Sequence, residues 1–506
     1  MTRSPDCHRS ACIRSRLIGS AVSKRIWEYG VRSTVGKSLA LGLMLSACSV
    51  NVVPNQNETS STDAATTPAQ WSDRTTQQLR KAIDARAAHG LDHVDFGATS
   101  GKDGDPTAQA LRFAGALARG ASDPAKLYDV YTVPRPAPDL KAGLAAALRA
   151  GDLTAWLDRL APHDANYAKL SSAYLELRRR PAAPVADIAV TGKAIEPNAT
   201  DPRLPVIARE LVVLDYLGAD AAQGDRYGPA MVDAVRRMQA DYGMKPDGII
   251  GSEALAILNM SDVDRARAIA VAMERLRWLE RTPAATRIDV NIAAARLTYW
   301  RDGKIADSRK VIVGEPDTET PQLGSPIFRL VANPTWTVPR SIQEKDIAKK
   351  GAGYLKANNM VWKNGWIVQQ PGPKNSLGLV KFDMQNDHAI YLHDTPAKTL
   401  FAMVQRQRSH GCVRVDDALG FAELLAKDGG VLDQWHRARA TGKETFVKLP
   451  RQIPVRMLYQ TVLFDDAGEP IVRNDPYGWD DRVGAALGFK AGKALRVQTG
   501  AADVGP

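Results

Sequence analysis

Cysteine is nearly absent from this chain. There are four in 506 residues, and three of them (Cys7, Cys12, Cys48) lie at or before position 48. A disulfide scaffold is therefore excluded, and Cys412 stands alone beyond the first 48 residues. Long apolar runs are missing as well: the run in KSLALGLMLSAC from Lys37 is about ten residues, half of what a permanent membrane helix needs. A mean hydropathy of -0.27 likewise excludes a polytopic membrane protein. No HExxH and no paired CxxC occurs, so His393, Asp394, His410 and Cys412 carry no zinc signature beyond a weak His-x-Cys. The formal charge of +11 is concentrated at the start, where residues 1–48 hold eight Lys/Arg against two Asp/Glu. The remainder has 59 Lys/Arg against 54 Asp/Glu, a dispersed surplus of five without interleaved aromatics, which argues against a nucleic-acid partner. What is present is length: 506 residues correspond to roughly three to four domains.

The basic residue and short apolar run from Lys37 form a signal-peptide pattern. Leu45-Ser46-Ala47-Cys48 resembles the lipobox of bacterial lipoproteins. That resemblance implies cleavage before Cys48, lipidation of Cys48, and an anchor on the periplasmic side of the envelope, with Ser49 favouring outer-membrane delivery. An ordinary cleaved signal is the alternative. Residues 1–48 are read as signal peptide and lipobox, and the polar, Ser/Thr-containing residues 49–70 as a flexible tether.

Residues 71–203 read as a helical scaffold and linker. Leu79 with Ile83, Leu140 with Leu144 and Leu148, and Leu153, Trp156, Leu157 and Leu160 keep helical spacing, with Gly90, Gly120 and Gly151 at C-cap positions. Arg178-Arg179-Arg180 reads as a solvated helix end, and 181–203, with four prolines, as linker. Residues 204–262 form a small helical unit: Gly228-Pro229 opens a helix with Val232, Val235, Met238 and Tyr242 on its apolar face, and Ser252 is placed to cap the next. From 283 to 480 the period changes to two. Ile288, Val290 and Ile292 alternate with polar or small residues, and Asp302-Gly303 is a hairpin turn. Residues 340–368, with Tyr354, Trp362 and Trp366, read as a lid or capping insertion, and 481–506 as a C-terminal tail. The fold class is multidomain α+β.

The chemistry concentrates in Ser409-His410-Gly411-Cys412-Val413-Arg414, which begins sixteen residues after His393. An unpaired cysteine flanked by Ser, His, Gly and Arg reads as a nucleophile rather than a buried structural thiol. It needs a base, for which His393 and His410 are the candidates, and donors for an oxyanion, which a Gly-Cys turn supplies. If Ile390 and Leu392 face the core, Tyr391 and His393 share the opposite face of their strand. Asp416 is placed to cap the following helix, and the positive end of that helix together with Arg414 is expected to lower the Cys412 pKa. The fork of Arg414 suits a carboxylate.

His393-Asp394-Thr395 followed by SHGCVR resembles the signature of YkuD-type L,D-transpeptidases. NPTWTVPRSI, PGPKNSLG, AIYLHDTP and DPYGWD extend the likeness to the large members with accessory domains, whose capping insertion is longer than 340–368. AVRRMQADYGMKPDGIIGSEALAILN resembles the peptidoglycan-binding domain attached to cell-wall enzymes. The resemblance implies a helical N-terminal scaffold, a three-helix peptidoglycan-binding domain and a mainly-β catalytic domain without metal or cofactor. It makes Cys412 the nucleophile and His393 its base, with the His410, Gly411 and Cys412 amides at the oxyanion and Ser409, Arg414 and Tyr391 in support. The implied reaction joins peptidoglycan stem peptides by 3→3 cross-links through a thioester, with carbapenems as inhibitors. An L,D-carboxypeptidase, an enzyme attaching protein to peptidoglycan, and a non-catalytic wall-tethering lipoprotein are the alternatives.

Overall fold

The computed structural model describes residues 70–97, 105–180, 187–190, 192–221, 224–465 and 467–492. The signal and lipobox reading, with Cys48, and all but the last residue of the tether lie outside them.

Short polar residues start the scaffold helices. Ser72 forms a capping box with Thr75 at the head of Asp73–Asp84, and Asp105, Asp139, Asp152 and Asp164 each accept a backbone N–H of the helix they precede. The expected stripes are buried, with Leu160 half-buried at their edge, and Gly90, Gly120 and Gly151 end their helices as expected. Arg178 pairs with Asp92 and Arg180 with Glu176, the solvated helix end expected.

The three-helix unit consists of Leu204–Val213, Pro229–Asp241 and Ser252–Leu258. Its D-G turn is stapled by one side chain. Gln239 donates to Asp247 Oδ1 (3.2 Å) and to the Ile249 carbonyl (2.9 Å), while its own carbonyl accepts from Gly248 N (2.8 Å). Gly248 has φ +79°, a conformation that suits glycine. Two expectations are corrected here. The N-cap of the last helix is Gly251, not Ser252, which is its first helical residue. The described part of the linker belongs to this unit: Ile195 exchanges both backbone hydrogen bonds with Ile250 (3.0 Å each), and Ile188 is buried against it. Isolated bridges leave no periodic pattern to read.

Asp262–Arg277, a helix between the domains assigned from sequence, carries buried arginines: Arg275 pairs with Asp480 at 2.5 Å and Arg277 with Glu274 at 2.6 Å. Glu274 also accepts from Ser122 of the scaffold (2.6 Å).

The strands are β1 Arg287–Asn291, β2 Arg296–Arg301, β3 Lys304–Gly314, β4 Ile327–Ala332, β5 Trp336–Thr337, β6 Met360–Lys363, β7 Trp366–Gln369, β8 Val380–Met384, β9 Leu392–His393, β10 Gln407–Ser409, β11 Val413–Val415, β12 Thr445–Ile453, β13 Val455–Leu458, β14 Val462–Phe464 and β15 Pro470–Val472. A ten-stranded mixed sheet runs β12-β4-β8-β9-β11-β3-β2-β1-β13, with β10 also pairing β3. Asp302 and Gly303 both have positive φ (52° and 78°), the hairpin turn expected between β2 and β3. The 340–368 segment contributes helix Gly351–Ala357 and most of a separate sheet, β5-β7-β6, around Trp336, Ile342, Met360 and Ile367. Of its aromatics only Trp362 is exposed; Trp366 lies under the Arg340 guanidinium (4.1 Å).

The C-terminal tail begins later than expected. Trp479–Ala486 is a helix with Val483 buried, and Leu487 is buried just beyond it. Its polar sequence conceals this because Asp480 and Asp481 are matched by Arg275 and Arg267. Just after β15, Arg473 donates to the Asp241 carbonyl (2.6 Å) and the Ala240 carbonyl (3.1 Å), clasping the C-terminal end of helix Pro229–Asp241. Among the described residues no helix is long and apolar enough to cross a membrane.

Candidate active site

β9 and β11 lie side by side and parallel, with Leu392 opposite Val413 and His393 opposite Arg414. Side chains alternate along a strand, so Leu392 and Val413 enter the core while Tyr391, His393, Cys412 and Arg414 share the other face. This is the expected parity. The Tyr391 and His393 rings are 5.6 Å apart, and Lys381, opposite His393 on β8, places its ammonium 4.3 Å from the Tyr391 ring centre. Asp383 on the same face of β8 pairs with Lys381 (2.7 Å) and Arg329 (2.5 Å).

The imidazole of His393 is fully buried, and its Nδ1 lies 2.5 Å from the Asp394 carbonyl oxygen. A carbonyl can only accept, so Nδ1 carries the proton and a neutral His393 presents Nε2 as its basic nitrogen. His410 is oriented differently: its Nε2 lies 3.6 Å from Asp346 of the capping segment. The two histidines that spacing could not separate thus occupy different surroundings.

Ser409 braces the turn between them. Its Oγ donates to the Cys412 carbonyl (2.6 Å) and accepts from Gly411 N (3.2 Å), so the Gly411 amide is engaged within the turn. Gly411 has φ +114°, which a side chain would strain. The turn is backed by Thr320, whose hydroxyl donates to the Gly411 carbonyl (2.7 Å), and by Thr318, which donates to the Ser409 carbonyl (3.0 Å). Tyr477 of the DPYGWD stretch donates to the Gly314 carbonyl (2.5 Å) from behind, so that stretch serves structure.

Two expectations for Cys412 are overturned. Its thiol is only 6% exposed and joins the main apolar core, despite polar neighbours in sequence. Burial pushes its pKa up to about 11 rather than down, against the opposing effects of hydrogen bonds from the Tyr391 backbone and hydroxyl and of the Lys381 and Arg414 charges. The helix dipole expected to help is too remote. The following helix begins at Ala418 with Asp417, not Asp416, as its cap, and β11 intervenes. The three extended residues of β11 alone span about 10 Å before the turn at residues 416–417, beyond the reach of a terminal dipole.

Sequence reasoning did not assign Lys381, Asp383, Thr318 or Thr320. The first two were legible as the polar half of the β8 alternation; the threonines have no sequence signal beyond their residue type. Among the described residues, no group of three or more His, Cys, Asp or Glu is placed to hold a metal ion.

A buried cysteine and histidine thus lie at the ends of adjacent inner strands of a mixed sheet, fronted by the 340–368 segment, and comparison with known proteins shows what such a domain resembles. Residues 285–441 match the L,D-transpeptidase catalytic domain (YkuD), 67–173 the scaffold domain, and 202–258 a family described as "Putative peptidoglycan binding domain". The chain thus carries an L,D-transpeptidase (YkuD) catalytic domain joined to scaffold and peptidoglycan-binding domains. A Haemophilus influenzae protein named "Putative L,D-transpeptidase" is 30% identical over 227 residues, 39% of this chain and 45% of that relative, so the match spans less than half of the relative's length. Similar solved structures include the Xylanimonas cellulosilytica L,D-transpeptidase (15% identity, TM-score 0.19, 55% of this chain and 100% of that one). Another is an Enterococcus faecium L,D-transpeptidase carrying a cysteine-to-serine substitution (12% identity, TM-score 0.21, 57% and 98%). The Ldtfm–avibactam carbamoyl enzyme is also similar (16% identity, TM-score 0.20, 36% and 52%).

Proposed function

We propose that this chain forms 3→3 peptidoglycan cross-links through a thioester on Cys412. The Sγ attacks the carbonyl joining the L-centre of diaminopimelate to terminal D-Ala in a tetrapeptide stem, and His393 Nε2 takes the thiol proton. The tetrahedral oxyanion is met by the Cys412 amide, since the Gly411 amide is engaged by Ser409. Collapse breaks the C–N bond, and His393 returns the proton to the leaving D-Ala amine. The side-chain amine of a second stem then attacks the thioester, its proton passes through His393, and the thiol is regenerated with the new amide bond. No nucleotide is consumed, because the energy of the broken amide is held in the thioester.

The observation that carries this reading is the Nδ1 hydrogen bond of His393, which makes Nε2 the base on the face that Cys412 shares. With the thiol near pKa 11, only ~1 in 10,000 is ionised at pH 7. Proton transfer to His393 therefore accompanies attack on bound substrate instead of preceding it. In the same reading carbapenems acylate Cys412, the three-helix unit holds peptidoglycan, and Cys48 anchors the chain by lipid on the periplasmic side of the envelope.

Incubating the protein with disaccharide tetrapeptide and weighing the products tests the reaction. Cross-linked dimers are expected from the wild type and none from Cys412→Ala. Tripeptide alone would indicate a carboxypeptidase, transfer to a protein amine an attachment enzyme, and no turnover a wall tether. An unchanged dimer yield in Cys412→Ala would refute the assignment of the nucleophile.

A further inference from the structure

The carbonyl of Gly411 and the N–H of Cys412 belong to one peptide unit. A trans peptide is planar, with its carbonyl and N–H pointing in opposite directions, so whatever holds one fixes the other. Glycine at position 411, φ +114°, leaves this unit without the Cβ clashes that would oppose its turning over. Ser409 holds the two peptides on either side of it, through Gly411 N and the Cys412 carbonyl, but not this one.

Thr320 holds it, from the loop of residues 315–320 that follows β3. Its side chain is fully buried, and its hydroxyl donates to the Gly411 carbonyl (2.7 Å) while accepting from Gly314 N (2.8 Å). An N–H can only donate, so the single hydroxyl proton is committed to Gly411. Tyr477 secures the same loop: its hydroxyl accepts from Thr320 N (3.3 Å) and donates to the Gly314 carbonyl (2.5 Å). Gly314 is thus bonded through both backbone groups. The loop packs on it so closely that a Cβ there would run into the Thr318 carbonyl and stand 2.7 Å from Thr320 N. Loop, strand end and Tyr477 form a seat behind the turn, and the carbonyl anchored in that seat sends the Cys412 N–H away from it.

We propose that Thr320, seated by Tyr477, is a positioning residue that keeps the Cys412 N–H aimed at the tetrahedral oxyanion. The proposal rests on the reading above for the identity of that donor. Thr320 acts on carbonyl chemistry in particular. With the peptide turned over, the thiol would still be a nucleophile, but the charge building on the substrate oxygen would lack its donor.

The test compares two reagents on the full chain at one pH, followed by mass analysis of the peptide containing Cys412. Iodoacetamide is attacked at a saturated carbon and develops no oxyanion. p-Nitrophenyl acetate is attacked at its carbonyl: the S–C bond forms through a tetrahedral oxyanion, the thiol proton goes to His393, the ester C–O bond breaks and p-nitrophenolate leaves. Both reagents consume the same thiol, so the ratio of acetylation to alkylation cancels its ionisation. Thr320→Val keeps the side chain's shape and removes the hydroxyl. It is expected to lower that ratio at least about tenfold, part of the roughly 100- to 1000-fold that outright loss of an oxyanion donor costs. Thr320→Ser keeps the hydroxyl and is expected to restore the ratio. Tyr477→Phe is expected to lower it about threefold, and decides the question if Thr320→Val does not fold. An unchanged ratio in the deciding variant, equal slowing of both reagents, a ratio as low in Thr320→Ser as in Thr320→Val, or no acetylation of Cys412 in the wild type would overturn the assignment. None of these readings requires cross-linking. A hydroxyl-dependent ratio in a chain that forms no dimers would fail the catalytic reading alone, whereas dimers from a chain whose ratio ignores Thr320 would fail this assignment alone.

Discussion

Tyr391→Phe removes one hydroxyl and keeps the ring that sits between Lys381 and His393. That hydroxyl hydrogen-bonds Cys412 and is among the groups holding its pKa below what burial alone would impose. A hydrogen bond to a charged group contributes about 1.5–3 kcal/mol, so its loss should push the thiol pKa further up from about 11. Iodoacetamide reports this directly, because it reacts with thiolate, and mass analysis of the peptide containing Cys412 separates its alkylation from that of Cys7, Cys12 and Cys48. In the wild type without substrate the rate should climb tenfold per pH unit from pH 7 and level off near 11. In Tyr391→Phe the plateau should move to higher pH. Limited access to the buried thiol scales both curves without moving their midpoints. A wild-type plateau by pH 8, or superimposable profiles, would refute the account of a desolvated thiol stabilised by this tyrosine.

The same burial predicts that stability is fully present below the unfolded thiol pKa and lost as pH rises through about 11, by up to ~3 kcal/mol; between pH 8 and 11 denaturant melts should show a larger loss in the wild type than in Cys412→Ala, the buried tyrosines with raised pKa contributing equally to both. His89 has the opposite sign: burial, with the Arg277 charge secondary, lowers its pKa to about 4. Its contribution holds above the unfolded value near 6.5 and disappears as pH falls through 4, so acid unfolding followed by near-UV circular dichroism should shift to lower pH in His89→Gln. Gln239→Ala removes three hydrogen bonds from the D-G turn and should destabilise the three-helix unit by ~2–3 kcal/mol, seen as faster amide exchange at residues 247–250. Gly411→Ala places a side chain at φ +114° and should cost ~1–3 kcal/mol, read as a lower midpoint in thermal denaturation.

Much of the arrangement was legible because its signals are local. The alternation at 389–393 placed Tyr391 and His393 on one face, and the structure keeps them there. Helix punctuation by Gly90, Gly120 and Gly151 was equally readable, since left-handed or extended glycine caps depend only on nearby chain. Asp262–Arg277 was not, because two of its buried arginines, Arg267 and Arg275, find their carboxylates more than 200 residues away at Asp481 and Asp480, and a cation within a hydrophobic face erases the periodic pattern. The Cys412 pKa failed for a related reason. Flanking polar residues describe the chain on either side of the sulfur, whereas its solvation is decided by Ala389, Tyr391 and the core packed around it.

Arg473 has a consequence for reach. By gripping the last carbonyls of helix Pro229–Asp241, it ties the three-helix unit to the chain just after β15. On the function proposed above, such a tie works like a caliper: with one jaw on the sacculus, the spacing to the Cys412 sulfur is set by the protein, and stems lying at that spacing are the ones joined.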